Sequence, residues 1–321
     1  MTIPAEQAEV AAFLTALTGA PPIETHISAV FLGGDRAWKL KKAVRLPYLD
    51  FSAIATRHRM VAREFALNRR TAPAIYRAIH AVRRLPNGGL TLAEASADTA
   101  PVVDWVLEMA RIPQSAFFDA MAAAHALSDA VLDDLADAVF NFHAALAPPA
   151  PPEFPALRDW PTVIDRIIAD NVAAAGVTSL PVQGIAAWHD AARAQSRARR
   201  RWLAGRAAEG RIRHAHGDLH LGNICLWQGR PTLIDALEFD DALATIDLGY
   251  DIAFLLMDLA YRAGRTAANR VLNRYVARTG DAGLAPGLAL YMSLRAMIRA
   301  HVGAHVGAQT AAPQAHAQLD A

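Results

Sequence analysis

The stretch that decides the fold runs from His216 to Asn223 and reads His-Gly-Asp-Leu-His-Leu-Gly-Asn. Within it Asp218 precedes Asn223 by five residues, and Asp235 follows after a short predicted hairpin. Phosphoryl transfer needs a carboxylate to orient the attacking hydroxyl and further oxygen ligands to hold Mg²⁺. Asp218, Asn223 and Asp235 meet that need, so this region predicts the catalytic segment of a phosphotransferase.

The residues before this segment predict a small β-rich lobe. An alternating pattern over residues 30–41 turns at Gly33-Gly34-Asp35, and a second hairpin turn lies at 86–89. A helix is expected at about 56–70 and a strand from Val102 to Met109. The lobe therefore holds an antiparallel sheet and one helix.

From residue 110 onward the pattern predicts mainly helices. They are expected near residues 116–147, 161–175, 185–208, 251–279 and 284–305. The fold class is therefore α+β, with an N-terminal sheet lobe over 1–109 and a larger helical lobe over 110–305. Residues 306–321 are expected to form a frayed tail.

Composition excludes several functional classes. A hydrophobic content of 53% in 321 residues supplies a large core, and a net charge of +1 gives no reason to expect nucleic acid or a membrane as partner. Cys225 is the single cysteine, which rules out an internal disulfide framework. The apolar stretch from Ile252 to Leu259 is too short to cross a bilayer. We expect a cytoplasmic protein.

Five other motifs accompany the catalytic segment. They are Thr25-His26-Ile27-Ser28, Lys39-Leu40-Lys41-Lys42, Leu49-Asp50-Phe51-Ser52, the run from Glu64 to Arg70, and Glu238-Phe239-Asp240-Asp241. With His216–Asn223, they resemble the aminoglycoside phosphotransferase and choline kinase superfamily, which has a protein-kinase-like, two-lobed fold. The resemblance covers nearly the whole chain and looks closest to a bacterial branch often fused to a P-loop ATPase domain.

The resemblance implies transfer of a phosphate from ATP to a hydroxyl group of a small molecule, with Mg²⁺ as cofactor. Position by position, Asp218 would be the catalytic base, Asn223 and Asp235 the Mg²⁺ ligands, and His216 a structural brace for the loop. GTP in place of ATP, and transfer of AMP in place of phosphate, stay open.

The resemblance also implies a lysine that pairs with phosphate oxygens, two positions after a small residue beneath adenine. Ala37 and Lys39 fit this pattern, and Lys41 on the same strand face is the alternative. Glu64 is the expected partner of that lysine. Backbone groups around Met109, over residues 108–110, would read adenine.

Two departures qualify the resemblance. No G-x-G-x-x-G precedes the lysine strand, so the turn at His26-Ile27-Ser28 would cover the phosphates with backbone N–H groups and the Ser28 hydroxyl. After Asp235 the chain has no Phe-Gly, and Glu238 or Asp240 would add a carboxylate near the metal. Only about fifteen residues separate Asp235 from the next predicted helix, which leaves no room for the activation segment of a protein kinase.

Two rival classes are considered. The segment from His214 to His220 nearly matches the H-x-H-x-D-H signature of zinc hydrolases of the metallo-β-lactamase type, but Leu219 replaces the last histidine and residues 221–300 contain none. The other rival is a catalytically silent kinase-like module that binds a nucleotide or a partner protein. The complete set of Asp218, Asn223 and Asp235 speaks against it.

Other features bear on partners and structure. The sequence has no G-x-x-x-x-G-K-S/T motif, so a P-loop ATPase would be a separate partner. We expect Asp247 and Asp251 to cap or brace helices, and the arginine-rich run over residues 193–206 to be a solvated face. No local pattern identifies the small-molecule acceptor.

Overall fold

The computed structural model describes residues 2–46, 49–94, 100–148, 157, 159–178 and 180–319, the last fifteen of these by backbone alone. The chain divides into two compact units. The first contains residues 1–114 and 232–239, and the second contains residues 115–231 and 240–321.

The first unit is built on an antiparallel sheet of six strands in the order β1-β2-β3-β8-β6-β7. A separate two-stranded ladder joins β4 to β5. The strands are β1 (Ile23–Glu24), β2 (Ser28–Gly33), β3 (Arg36–Lys41), β4 (Arg45–Leu46), β5 (Leu49–Asp50), β6 (Tyr76–Arg84), β7 (Leu90–Glu94) and β8 (Val102–Ala110). The helices are α1 (Ala8–Thr18) and α2 (Ile54–Asn68).

Strand register gives the six-stranded sheet two different faces. Because Ser28 pairs with Lys41 and Val30 with Lys39, these four side chains share one face. The other face packs against α1 in an apolar core formed by Val10, Leu14, Ala29, Phe31, Trp38, Leu40, Val82 and Val106. Lys39 and Lys41 therefore lie on the face opposite α1, the lysine face.

Helix α2 packs against β6 and β8 and buries a stripe of residues spaced three or four apart. Only two members of the stripe, Met60 and Val61, are apolar. The other three are Arg57, Glu64 and Asn68. Buried polar groups are stable only when they are paired, so this helix is placed by hydrogen bonds and ion pairs as much as by packing.

Asp104 on β8 is the first of these partners. It accepts from Arg57 Nε at 2.9 Å and Nη2 at 3.0 Å, and from Gln7 Nε2 at 2.7 Å. Gln7 also donates to the Lys41 carbonyl and accepts from the Ala43 N–H. One buried carboxylate thus joins α2, β8 and the residues just before α1.

The second unit is mainly helical. Its strands β9 (Ile212–His214) and β12 (Thr245–Asp247) pair with each other, and β10 (Ile224–Trp227) forms a hairpin with β11 (Arg230–Leu233). The helices are α3 (Phe118–Ala123), α4 (Asp129–Ala144), α5 (Trp160–Ala174), α6 (Val182–Ala198), α7 (Arg200–Ala208), α8 (Asp241–Ala244), α9 (Leu248–Arg262), α10 (Arg265–Thr279) and α11 (Ala285–Leu319).

The arginine-rich run over 193–206 is only partly a solvated face. Arg200 is half-exposed and pairs with Asp165, but Arg206 is buried and donates to both Asp247 and Asp281. The expectation is wrong for Arg206 because its two carboxylate partners are distant in sequence. Asp247 also caps α9 through the Gly249 N–H, as expected.

The α+β fold class predicted from the sequence is confirmed. The first unit extends to residue 114 and also includes residues 232–239, which the predicted boundary after residue 109 places in the helical lobe. The last helix continues to Leu319, and because the side chains of 305–319 and all of 320–321 lie outside the described residues, the frayed tail stays a prediction. In the described part of the chain, no helix combines the length and apolarity that crossing a membrane requires.

Replacing Asp104 should destabilise the protein strongly. The change Asp104→Ala leaves the buried Arg57 guanidinium without its carboxylate, which costs about 3–5 kcal/mol of unfolding free energy. Urea unfolding measures the loss. The matched control is Glu9→Gln, which weakens an exposed pair with Arg84 and should leave the urea midpoint unchanged. Equal effects of the two changes would contradict the bracing role of Asp104.

Candidate active site

Lys39 on β3 is the centre of a charged cluster in the first unit. Its ammonium donates to Glu64 Oε1 and to Asp235 Oδ1, each at 2.7 Å. The Lys39 side chain is 13% exposed, and the Asp235 side chain is 43% exposed. The cluster therefore has a buried end at Glu64 and an accessible end at Asp235.

A second lysine completes the cluster on its buried side. Lys41 donates to Glu64 Oε2 at 2.7 Å and to Glu238 Oε1 at 2.5 Å. Glu64 is fully buried and each of its oxygens accepts from a different lysine. The sequence left open whether Lys39 or Lys41 contacts phosphate, with Glu64 as the expected partner of that lysine. In the structure Glu64 pairs with both lysines.

These contacts shift the pKa values of the charged residues in the cluster. Burial alone would lower the pKa of Lys39, but the carboxylates of Asp235 and Glu64 outweigh burial and hold the pKa well above its usual value. Burial alone would raise the pKa of Glu64, yet the two lysines lower it. Glu238 differs, because burial and the nearby negative charges raise its pKa although Lys41 opposes them. Lys39 therefore keeps its positive charge at neutral pH.

The segment carrying Asp235 is held by side chains of the same unit. The Asp235 N–H donates to the Tyr76 hydroxyl at 3.0 Å, and the Ala236 N–H donates to Asn68 Oδ1 at 2.9 Å. Asp235 has a φ of 57°, a left-handed conformation uncommon for a residue other than glycine. Such strain persists only where neighbouring contacts impose it, and these two hydrogen bonds supply them.

Two further predicted nucleotide contacts lie on the lysine face of the sheet. Ser28 starts β2 and is 2% exposed, with its hydroxyl buried and unpaired in the contacts of the described residues. Met109 pairs with Ala37 on one side and Tyr76 on the other, so its backbone lies inside the sheet while its side chain shares the face of Lys39. Roles in nucleotide binding stay predictions for both residues.

In the second unit, Asp218 and Asn223 lie in one hydrogen-bonded loop. Asn223 Nδ2 donates to Asp218 Oδ2 at 2.9 Å and to the Asp218 carbonyl at 3.0 Å. Both donated bonds use the amide nitrogen, so the amide oxygen of Asn223 is the atom suited to a cation. The Asp218 side chain is 42% exposed, which leaves its carboxylate accessible to a ligand.

The Asp218 carboxylate stays ionised. Although burial would raise its pKa, the positive charge that His220, His216 and Arg295 can present lowers the pKa well below its usual range. His220 Nε2 lies 3.5 Å from Asp218 Oδ2, while its Nδ1 accepts from the Gly222 N–H. Arg299 Nη1 also lies 3.4 Å from His220 Nε2, so this ring nitrogen faces both a cation and the Asp218 carboxylate.

Buried carboxylates of helix α9 brace this loop from behind. Asp251 accepts from the backbone N–H groups of His216 and Gly217 at 3.1 and 3.0 Å, and from His143 Nε2 at 3.1 Å. Asp258 accepts from the Leu221 N–H at 3.1 Å. His216 itself is buried, and its structural role stays a prediction.

Arg295 of helix α11 secures the same loop from another side. It donates to the Gly217 carbonyl at 3.1 Å, and its guanidinium stacks 3.9 Å from the centre of the Tyr250 ring. Sequence reasoning did not find Arg295, Tyr76 or Asn68. For Asn68 a signal existed, because it follows Glu64 by four residues and therefore shares its buried face.

The oxygen ligands of the described residues bear on the expected Mg²⁺. Among the residues that the structure describes, no group of three or more histidine, cysteine, aspartate or glutamate side chains could hold a metal ion. Mg²⁺ in phosphate-transfer sites is held by one or two carboxylates together with substrate phosphates and water, so it does not need such a group. The accessible carboxylate of Asp235 fits that requirement, whereas a zinc centre of the hydrolase type does not fit these residues.

Comparison with known proteins gives a family match. Residues 51–288 match the Phosphotransferase enzyme family, APH. The uncharacterized protein Rv2004c of Mycobacterium tuberculosis and the uncharacterized protein Mb2027c of Mycobacterium bovis are each 32% identical over 265 residues. The matched part is 80% of this chain and 49% of each relative, so the chain spans about half the length of these relatives.

Two solved structures are similar. An aminoglycoside-3'-phosphotransferase of type VIII has a TM-score of 0.46 and 18% identity, with 88% of this chain and 97% of that chain covered. A choline/ethanolamine kinase family protein from Mesorhizobium loti has a TM-score of 0.48 and 17% identity, with 95% and 94% covered.

The bracing role of Asp251 can be measured without a substrate. In Asp251→Asn one carboxylate oxygen becomes an amide nitrogen, so the His216 or Gly217 N–H loses its acceptor at a cost of about 1–3 kcal/mol. Hydrogen exchange of the segment containing these amides should accelerate on the order of tenfold. Asp190→Asn, at an 86% exposed side chain, is the control and should change nothing. Unchanged exchange in Asp251→Asn would contradict the brace.

Cys225, two residues after Asn223, should be chemically inert in the folded chain. Its side chain is buried, and burial raises the pKa of its thiol to about 12. A disulfide reagent at pH 8 should therefore titrate no thiol in the native protein and one after urea unfolding. Rapid reaction of the native protein would show that strand β10 opens readily.

Proposed function

The chain belongs to the Phosphotransferase enzyme family, and from that membership we propose that it transfers the γ-phosphate of ATP to a hydroxyl group of a small molecule. The observation that carries the proposal is the Lys39 ammonium, held between the buried Glu64 and the accessible Asp235. This arrangement keeps a permanent positive charge beside a carboxylate that a metal ion can reach. Phosphoryl transfer requires both.

The first unit supplies the groups that bind phosphate. Lys39 is the lysine that contacts phosphate oxygens, because its side chain is partly exposed whereas that of Lys41 is 1% exposed. Asp235 would be a Mg²⁺ ligand, and the family resemblance adds the amide oxygen of Asn223. Bound Mg²⁺ would neutralise charge on the phosphates.

The second unit supplies the group that handles the acceptor. The Asp218 carboxylate accepts a hydrogen bond from the acceptor hydroxyl and so aims its oxygen at the γ-phosphorus. The new oxygen–phosphorus bond forms as the bond to ADP breaks, and the hydroxyl proton passes to Asp218. Because its pKa is low, Asp218 orients the hydroxyl first and takes the proton late.

The cellular location and a partner protein are also proposed. A cytoplasmic location supplies both ATP and the reducing conditions that suit a single buried cysteine. A separate P-loop ATPase as partner stays a prediction from the family resemblance.

Nucleotide binding is the first test. Calorimetry should show ATP binding that depends on Mg²⁺, and Asp235→Ala should remove the Mg²⁺ dependence because the accessible carboxylate is gone. Asp50→Ala is the matched control in the same unit, since Asp50 is an exposed carboxylate that bonds to Ser52. Absence of nucleotide binding by the wild type, or equal loss in both variants, would refute the proposal.

Catalysis is the second test. Phosphorus NMR with ATP, Mg²⁺ and a panel of amino sugars, choline-like alcohols, sugars and nucleosides should show one acceptor converted to its phosphate ester. Asp218→Asn keeps the shape of the side chain but cannot take the proton, so the rate should fall about 10²–10⁴-fold while ATP binding is kept. If ATP binds and Asp218→Asn changes no rate, Asp218 is not the base. If ATP binds and no acceptor in a broad panel reacts, the silent nucleotide-binding module is favoured.

A further inference from the structure

All the lysines of this chain lie in one tetrapeptide. Of its 32 lysine and arginine residues only three are lysines, and these are Lys39, Lys41 and Lys42. All three have low exposure, at 13%, 1% and 0% of their side chains. A chain that uses arginine at every other basic position has lysine only here, which indicates that these positions need a compact ammonium and not a guanidinium fork.

Lys41 has no room for a ligand. Its ammonium lies between Glu64 and Glu238, and the Phe51 ring lies 5.5 Å from its nitrogen. A fully buried ammonium is costly unless it is paired, so two carboxylates offset the cost of a lysine that no nucleotide can reach. An apolar side chain at position 41 would avoid that cost. The presence of Lys41 and Glu238 therefore indicates that these residues do more than fill the interior.

We propose that Lys41 and Glu238 are a positioning pair, which fixes Glu64 and the Asp235 segment on strand β3 so that Lys39 keeps its place when Asp235 takes a ligand. Lys39 now shares its ammonium between Glu64 and Asp235. When Asp235 binds a metal ion, as the proposed function requires, Glu64 is the carboxylate that still pairs with Lys39. Lys41, on the other oxygen of Glu64, prevents this carboxylate from turning away.

Glu238 connects the segment that carries Asp235 to Lys41. It follows Asp235 by three residues and contacts Lys41 directly. Phe239, the next residue, packs with the apolar cluster of Leu49, Phe51 and Met60. The metal-ligand segment and the partner of Lys39 thus meet at one buried ammonium.

Hydrogen exchange tests the pair without any nucleotide. The N–H groups of Asp235 and Ala236 are held by side-chain oxygens, so they report how firmly the segment is fixed. Lys41→Met and Glu238→Gln should each accelerate exchange of peptides covering residues 234–239 about tenfold or more. Arg83→Met removes another buried cation of the same unit and should leave these peptides unchanged. Unchanged exchange in Lys41→Met, or an equal rise in Arg83→Met, would overturn the proposal.

A double-mutant cycle tests whether Lys41 acts through Lys39. Calorimetry with Mg²⁺-ADP should show about tenfold weaker binding for Lys41→Met, and in a Lys39→Met background the same change should cost less than twofold more. Additive losses would mean that Lys41 contacts the nucleotide itself, and would overturn the positioning role. If the wild type binds no ADP, the proposed function fails, while hydrogen exchange still decides whether the pair fixes the segment.

A conservative substitution of Lys41 distinguishes the positioning role from a role in charge balance alone. Lys41→Arg keeps the charge but replaces a compact ammonium with a wider fork, so ADP affinity should fall as in Lys41→Met. The double variant Lys41→Met/Glu238→Gln removes both charges; it should regain thermal stability relative to Lys41→Met but not ADP affinity. Recovery of full affinity in the double variant would show that only charge balance matters, and would overturn the proposal.

Discussion

The first unit depends on a carboxylate that has no exposed surface. Glu64 accepts from two lysines on the same strand, and through them it reaches both Asp235 and Glu238. A buried carboxylate needs neighbouring positive charge to stay ionised, and the lysines need the carboxylates in turn. Helix α2, strand β3 and the segment 232–239 are therefore joined by charge, where an apolar contact alone would leave their spacing less defined.

The second unit also contains a buried carboxylate that fixes its neighbours, with different partner groups. Asp251 is also a fully buried helical carboxylate, but its partners are two backbone N–H groups and His143. It fixes the course of the loop, while the side chain of Asp218 stays accessible on that loop. In both units a fully buried helical carboxylate fixes a group next to an accessible carboxylate: Glu64 fixes Lys39, which contacts Asp235, and Asp251 fixes the loop that carries Asp218. Supporting contacts of this kind keep a site preorganised.

Short-range patterns predicted the residues to which we assign catalytic roles. The five-residue spacing of Asp218 and Asn223 indicated the catalytic segment, and the family resemblance implied a phosphate-binding lysine at Lys39 or Lys41. The partners of the supporting residues could not be found in this way, because these residues act across long separations. Asp251 lies 35 residues beyond His216, and Glu238 lies 197 residues beyond Lys41. Arg206 was misjudged for the same reason, since Asp247 and Asp281 are 41 and 75 residues away.

The placement of the lysines has a practical consequence for handling this protein. A protease that cuts only after lysine finds all its target bonds within or beside strand β3, where the three lysine side chains have low exposure. Cleavage then requires the first unit to open, and the second unit offers no target even when it unfolds. The rate of such digestion would report the opening of one unit alone. Amine-directed labelling or cross-linking of the folded chain would have only these three side chains of low exposure as lysine targets.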